Sequence, residues 1–218
     1  MAKADAASRP VITIGREFGA GGETVGRMVA QRLGIEYLDS KIVDEVARRL
    51  KIGTDVVENY DEKTGGLLDR LLRQLATVDF STPQDVAAWT PPSGELAWDP
   101  RKSVLAVTQE IIRRQAATGN VVIVGRGAAY VLVDRADVLR VFLRAPFEFR
   151  LRAIMESRGL DEAAAHRYLK ERDENSSAYI KQVYGHDWQH PSHYDIVIDT
   201  ARLGHQRAVE IILAALPK

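Results

Sequence analysis

The chain has 218 residues, of which 30 are basic and 30 acidic, so its formal net charge is zero, and it contains no cysteine. That balance argues against wholesale binding to a nucleic-acid polymer or an acidic membrane surface, and the missing cysteine removes disulfides, thiolate zinc sites and cysteine nucleophiles together. No segment is long and apolar enough to span a bilayer and the opening MAKADAASRP lacks the apolar core of a secretory leader, so a cytoplasmic protein of one domain over 1–218 is expected.

The first predicted strand is VITIG (11–15), a short β-branched run. Four glycines follow within eight residues (Gly15, Gly19, Gly21 and Gly22) before helix formers resume in VGRMVAQRLG (25–34), which Gly34 closes. Glycines so placed let backbone N–H groups face an anion, and the helix N-terminus adds positive potential. A tight strand-to-helix turn would use the same residues. Measured against the phosphate-loop pattern G-x-x-x-x-G-K-[ST], the chain holds Arg16 where the first glycine belongs and Gly22 where the lysine belongs. Arg16 is the only basic residue between the strand end and the loop glycines, which makes it the candidate to supply the missing cation.

A second strand, IEYL (35–38), leads into the helix DSKIVDEVARRL, with Asp39 or Ser40 placed to cap it. Residues 54–78 alternate helically with poor definition, and 81–100, rich in Pro, Ser and Gly, reads as a mobile loop carrying two of the three tryptophans. Then come a helix over 103–119, the continuous apolar strand NVVIVG (120–125), the strand VLRVFLRA (138–145), and a helix opening at Pro146. A long charged helix starts at LDEAAAH, YDIVID (194–199) is the last strand, and HQRAVEIILAAL (205–216) closes the chain. Five apolar strands alternating with helices predict a doubly wound α/β sheet.

Three further groups carry candidate chemistry. Arg126, in VIVGRG at the end of a buried strand, offers bidentate donors to a phosphate on the sheet edge where open α/β proteins bind ligands. In YLDS, Asp39 suits proton acceptance or a metal-bound water and Ser40 a substrate bond, although both also serve as helix caps. Arg172, Asp173, Tyr179, Lys181 and Tyr184 recur along one helical segment that would otherwise be a solvated face. His186, His190 and His193 cluster in HDWQHPSH, which reads as a polar loop rather than a metal site because Pro191 breaks the helix a ligand pair would use.

Taken in order, GAGGET after the first strand, LDS, GR at a central strand end, VFLRAPFEFR, KERD and DIVIDT resemble the cytidylate kinases. The likeness is closer to their cytidylate kinase-like relatives, whose REFG-x-GG loop is similar to REFGAGG here. It covers roughly 11–58 and 101–216. The resemblance implies a three-layer P-loop kinase fold with a five-stranded parallel sheet in the order 2-3-1-4-5, an acceptor-side insertion at 59–100 and a helical lid over about 158–190. It implies ATP held by Gly19, Ala20, Gly21, Gly22, Glu23 and Thr24, with Mg²⁺ near Thr24. It further implies an acceptor held by Asp39, Ser40, Lys41 and Arg126, and lid residues Arg172, Asp173 and Lys181 over the transferred group. Arg16, Asp39, Arg126 and Arg172 are the expected catalytic groups.

The chain also departs from that pattern. Gly22 replaces the lysine, Val124 and Gly127 replace acids flanking the Gly125–Arg126 pair, and NSSAYIK replaces an arginine-rich lid continuation. The acceptor is therefore a nucleoside monophosphate such as cytidylate or another small molecule, with the oligomeric state open to a homodimer. Two other readings stand beside a kinase. One is a degenerate nucleotide-binding or regulatory domain without turnover. The other is a short-chain dehydrogenase, since TIGREFGAG fits a dinucleotide loop and Tyr37-x-x-x-Lys41 mimics a catalytic pair, though too early in the chain.

Overall fold

Two unbroken apolar runs set the centre of the sheet: β1 (Val11–Arg16), whose first four residues are buried, and β3 (Val121–Val124), which is buried throughout. Strands covered on both faces need no polar alternation, and the two lie side by side in parallel with Val11 opposite Val121. The computed structural model describes residues 9–54, 57 and 100–216. The predicted insertion at 59–100 and loop at 81–100 lie, apart from Pro100, outside the described residues, as does most of the alternation at 54–78.

The remaining elements are α1 (Gly22–Leu33), β2 (Glu36–Leu38), α2 (Ser40–Leu50), α3 (Pro100–Thr118), α4 (Ala128–Val131), β4 (Val138–Arg144), α5 (Phe147–Arg158), α6 (Glu162–Tyr184), β5 (Ile196–Asp199) and α7 (Thr200–Ala214). All five strands are parallel, in the order β2-β3-β1-β4-β5. On one face α1 and α7 cover Ile12, Ile14, Val122, Val124, Val141 and Leu143. On the other, α2 and α3 cover Val11, Val121, Ile123 and Val138. Alternate residues of each central strand thus feed opposite cores, which is the doubly wound three-layer architecture.

Helix ends follow local chemistry. Gly34, Gly159 and Gly185 close α1, α5 and α6 in the left-handed conformation. The Asp161 side chain accepts from Ala164 N at 2.7 Å and starts α6. Asp39 departs from the expected cap: it precedes α2 but makes no side-chain cap bond, and its Oδ2 accepts from the Tyr37 hydroxyl at 3.2 Å. The last helix begins five residues earlier than its apolar pattern predicts, because Asp199 caps it through Ala201 N and Arg202 N and Gly204 introduces a kink. Among the described residues, α4 and the 3₁₀ turn at Pro191–His193 are too short to leave a periodic signal.

Because β2 and β3 lie on one side of β1 and β4 and β5 on the other, the chain changes winding direction at β1. The loops leaving β1 and β3 diverge there at the carboxyl edge, where such sheets bind ligands. The order also removes the dehydrogenase reading. A dinucleotide-binding sheet runs 3-2-1-4-5-6 with β2 beside β1, whereas here β3 separates them. The side chains of the supposed pair are engaged separately, Tyr37 with Asp39 and Lys41 with Glu36 at 3.7 Å.

Candidate functional site

The loop after β1 is a turn held by backbone bonds. Glu17 N donates to Leu143 O at 2.9 Å and Ala20 N to Glu17 O at 3.1 Å, with Gly19 and Gly21 at φ +82° and +81°. A side chain at either position would be strained, and one at Gly21 would also run into the His205 ring. Gly21 leads into α1, a 12-residue helix whose N-terminus has no side-chain cap. Its first amides are left for an anion.

Arg16 explains why residue 22 is glycine. The arginine stem crosses the loop so closely that a Cβ on Gly22 would lie 2.7 Å from Arg16 Cγ and 3.1 Å from both Cβ and Cδ. Its guanidinium continues to the GR turn, where Nη1 lies 2.9 Å from the place a Cβ on Gly125 would occupy. Sequence position 16 thus fills the space that a side chain at 22 would take. The same exchange recurs at Gly127, in the place of an acid in the kinase pattern: a Cβ there would meet Tyr184 Cε2 at 2.7 Å.

The GR turn is itself unusual. Gly125, Arg126 and Gly127 all have positive φ (+74°, +56° and +66°), and Gly125 N donates to Ile14 O at 3.0 Å. A non-glycine residue in this conformation carries strain that the surroundings must hold. It aims Arg126 from a rigid strand end.

Two spaces open along this edge. The larger is a cleft of about 780 Å³. Gly19, Gly21, Gly22, Glu23 and Thr24 form one wall, and Arg16, Asp39, Arg126 and Arg172 also line it. The smaller, about 60 Å³, lies between the sheet and the second half of α6 and is lined mainly by aromatic and small residues. Among the described residues, Arg16 and Arg126 alone line both spaces. The Tyr37 phenol, raised above its ordinary pKa by burial and then by the Asp39 charge, stays a neutral donor to that carboxylate.

Four of the expected site residues, Ala20, Lys41, Asp173 and Lys181, lie elsewhere. Ala20 is fully buried, with its carbonyl accepting from Thr200 Oγ1 at 2.9 Å. Ser40 is the first residue of α2. Lys41 is exposed beside Glu36 in a separate groove, and Lys181 is exposed near the end of α6. Asp173 points into protein. Its Oδ2 accepts from Arg150 Nη1 at 2.6 Å and its Oδ1 from Phe18 N at 3.1 Å. The buried Arg150 also donates to Phe18 O and Ala145 O and lies 3.5 Å from Glu17 Oε2. Glu17 in turn accepts from Ala145 N and Gln189 Nε2. The acid of the KERD motif therefore clamps α6 to the glycine loop instead of facing the cleft.

Sequence reasoning missed several cleft residues, among them Phe149, Arg158 and His205, and the clamp's centre, Arg150. Arg158 and Arg172 stack on the Tyr168 ring at 4.7 and 5.2 Å, so two guanidiniums from neighbouring helices meet at the cleft edge. Only their arrangement in three dimensions distinguishes them from surface charges. The histidine cluster is a patch of mutually tilted rings, with those of His186 and His193 4.4 Å apart. Burial, then the neighbouring His186 and His190, hold His193 below its ordinary pKa. Among the described residues no group of three or more His, Asp or Glu side chains is arranged to hold a metal ion, and no helix is long and apolar enough to cross a membrane.

Comparison with known proteins agrees with this geometry. The model of the cytidylate kinase-like family matches residues 11–202. A protein named cytidylate kinase from Methanopyrus kandleri is 28% identical, over 94% of this chain and 92% of that protein. A crystal structure of an uncharacterized protein from Eubacterium ventriosum superposes with a TM-score of 0.65 at 22% identity, covering 95% of this chain and 98% of the other. Shikimate kinase from Bacteroides thetaiotaomicron gives a TM-score of 0.51 at 14% identity, again over 95% and 98%. These solved structures share the fold.

Proposed function

The chain belongs to the cytidylate kinase-like family, and from that premise we propose that it is an ATP-dependent phosphotransferase acting on a nucleoside monophosphate or another small phosphate-bearing acceptor. The observation that carries this reading is the pair of spaces that share Arg16 and Arg126 as lining residues. Phosphoryl transfer needs little covalent help from the protein. It needs donor and acceptor in line and cations where negative charge spreads over the transferred group. Two arginines shared by two compartments supply that arrangement.

The donor phosphates fit the cleft. Gly19, Gly21 and Gly22 leave the backbone bare, the uncapped start of α1 faces the same space, and Arg16 takes the part of the absent lysine. Mg²⁺ prefers phosphate oxygens, waters and one or two protein oxygens to a dedicated cage of side chains. The exposed Thr24 hydroxyl and the Asp39 carboxylate on the cleft wall suit such an ion, which would neutralise charge on the donor phosphates when bound. Arg126 holds the acceptor phosphate from the other strand end, and Arg172, with Arg158 beside it, covers the group in transit. Asp39 accepts a proton or a metal-bound water, whereas Asp173 holds the lid helix in place.

The alternative of a domain that binds nucleotide without turnover draws on the missing lysine and on the acids replaced by Val124 and Gly127; Arg16 stands in for the lysine only. The test is phosphoryl transfer from ATP to the four ribonucleoside monophosphates. Turnover is expected, with Arg126→Ala raising the acceptor KM or abolishing transfer while ATP affinity stays within about twofold of wild type. Loss of ATP affinity in that variant with acceptor response retained would reverse the two sites. ATP binding by the wild type with no transfer to any acceptor would favour the non-catalytic reading.

A further inference from the structure

Asp39 stands where two donors compete for it. It immediately precedes α2, a position from which an aspartate ordinarily turns its carboxylate back onto the first free amides of the helix. Among the described residues no side chain caps α2, and Asp39 Oδ2 accepts instead from the Tyr37 hydroxyl at 3.2 Å. The residue so held lines the cleft together with Gly22, Glu23 and Thr24.

Tyr37 is fixed firmly enough to decide that competition. Its ring packs against the core that contains Val25, Val29 and Val124, so close to α1 that a Cβ on Gly26 would lie 3.0 Å from Tyr37 Cε2 and 2.7 Å from Val124 Cγ2. The Arg27 guanidinium lies over the ring, 4.5 Å from its centre. Arg27 is itself held by Glu23 Oε1, through Nε at 3.1 Å and Nη2 at 3.0 Å, so the first turns of α1 steady the ring. A phenylalanine would pack in the same way. What the hydroxyl adds is the bond to Asp39, its only hydrogen bond among the described residues. Tyr37 itself does not line the cleft.

Resting on the phosphotransferase reading, we infer that Tyr37 is a positioning residue for transfer: its hydroxyl holds the Asp39 carboxylate at the cleft and away from the α2 amides. The bond works against the helix. A carboxylate released by loss of the hydroxyl turns to the amides of α2 and caps them, which stabilises the fold and takes the acid from the cleft. Losing the hydroxyl therefore moves stability and turnover in opposite directions, whereas a packing role would lower both.

The experiment compares wild type, Tyr37→Phe, Asp39→Ala and the double variant Tyr37→Phe/Asp39→Ala. It reads steady-state transfer from ATP to whichever ribonucleoside monophosphate wild type turns over fastest, and the thermal midpoint of each protein. Tyr37→Phe is expected to lower kcat by about threefold to tenfold, the worth of one hydrogen bond to a charged group, with KM for both substrates within about twofold of wild type. Its thermal midpoint should be unchanged or higher. With Asp39 already replaced by alanine, the same loss of hydroxyl should change kcat by less than about twofold, because it acts only through that carboxylate. The inference is overturned by full kcat in Tyr37→Phe, by an equal loss with and without Asp39, or by a midpoint lowered by more than about 3 °C, which would give the hydroxyl to the fold. Absence of transfer by wild type to any of the four monophosphates would refute the phosphotransferase reading itself. The competition for Asp39 is then still decided by the midpoint of Tyr37→Phe, and a fall there would overturn it.

Discussion

Gly21→Val is expected to weaken ATP binding by at least a hundredfold while the protein stays folded. Two independent obstacles arise at that one atom. The backbone there is at φ +81°, a region that β-branched residues essentially do not occupy, and a Cβ would enter the His205 ring. The ring is the end of a side chain and can swing aside, but the backbone strain has no such relief. The loop would therefore re-form with its amides turned from the phosphate. Calorimetric titration with ATP reads the affinity, and a circular-dichroism melt reads the fold. Because Gly21 itself lies at the edge of the sheet, with only its neighbour Ala20 in the core, a shift of only a few degrees in the melt is expected. Undiminished ATP affinity in this variant would contradict a phosphate seat at Gly19–Thr24.

Arg150→Met should cause the largest loss of stability of any single change proposed. The guanidinium is buried at 5% exposure and is the shared partner of Asp173, Glu17 and two main-chain carbonyls. Methionine keeps the apolar stem but leaves two largely buried carboxylates without a counter-charge. Breaking one side of a buried ion pair costs about 3–5 kcal/mol. In a chain of this size that lowers the thermal midpoint by roughly 10 °C. Asp173→Asn, which can still accept from Phe18 N, should cost less. The clamp also joins the glycine loop to α6, so ATP affinity should fall in Arg150→Met even at temperatures where it is fully folded. A loss below about 1 kcal/mol would mean that the network is solvated and contributes little.

The fold was legible because its signals are local. VITIG and NVVIVG read as strands buried on both faces, glycines marked the helix ends, and the strand order followed from the family likeness. The cleft was legible where a residue's own loop fixes its direction, as for Gly19, Gly21, Thr24 and Arg126. Side-chain direction was not legible where it depends on a distant partner. Asp173 belongs to a motif whose sequence says only that an acid sits on a helix, and the Arg150 that captures it is 23 residues earlier on another helix. Lys41 and Lys181 are charged and near the right elements, but one turn of helix carries them to other surfaces. His205 left no signal at all. A lone histidine after a glycine gains meaning only from what the fold brings opposite it.

The donor-side cation rests most directly on the exchange between Arg16 and Gly22. The decisive measurement is ATP affinity across four proteins: wild type, Arg16→Gly, Gly22→Lys and the double variant Arg16→Gly/Gly22→Lys. Removing the arginine should cost about 1.5–3 kcal/mol, the worth of a charge-assisted hydrogen bond, or roughly 10- to 150-fold in affinity. Adding the lysine alone should also weaken binding, because its Cβ would lie 2.7 Å from Arg16 Cγ and force the loop apart. The double variant clears the arginine stem and restores a lysine at the start of α1, so it should bind ATP better than either single variant. Additive losses, with the double variant weakest of the four, would show that the two positions do not share one cationic role and would contradict the account.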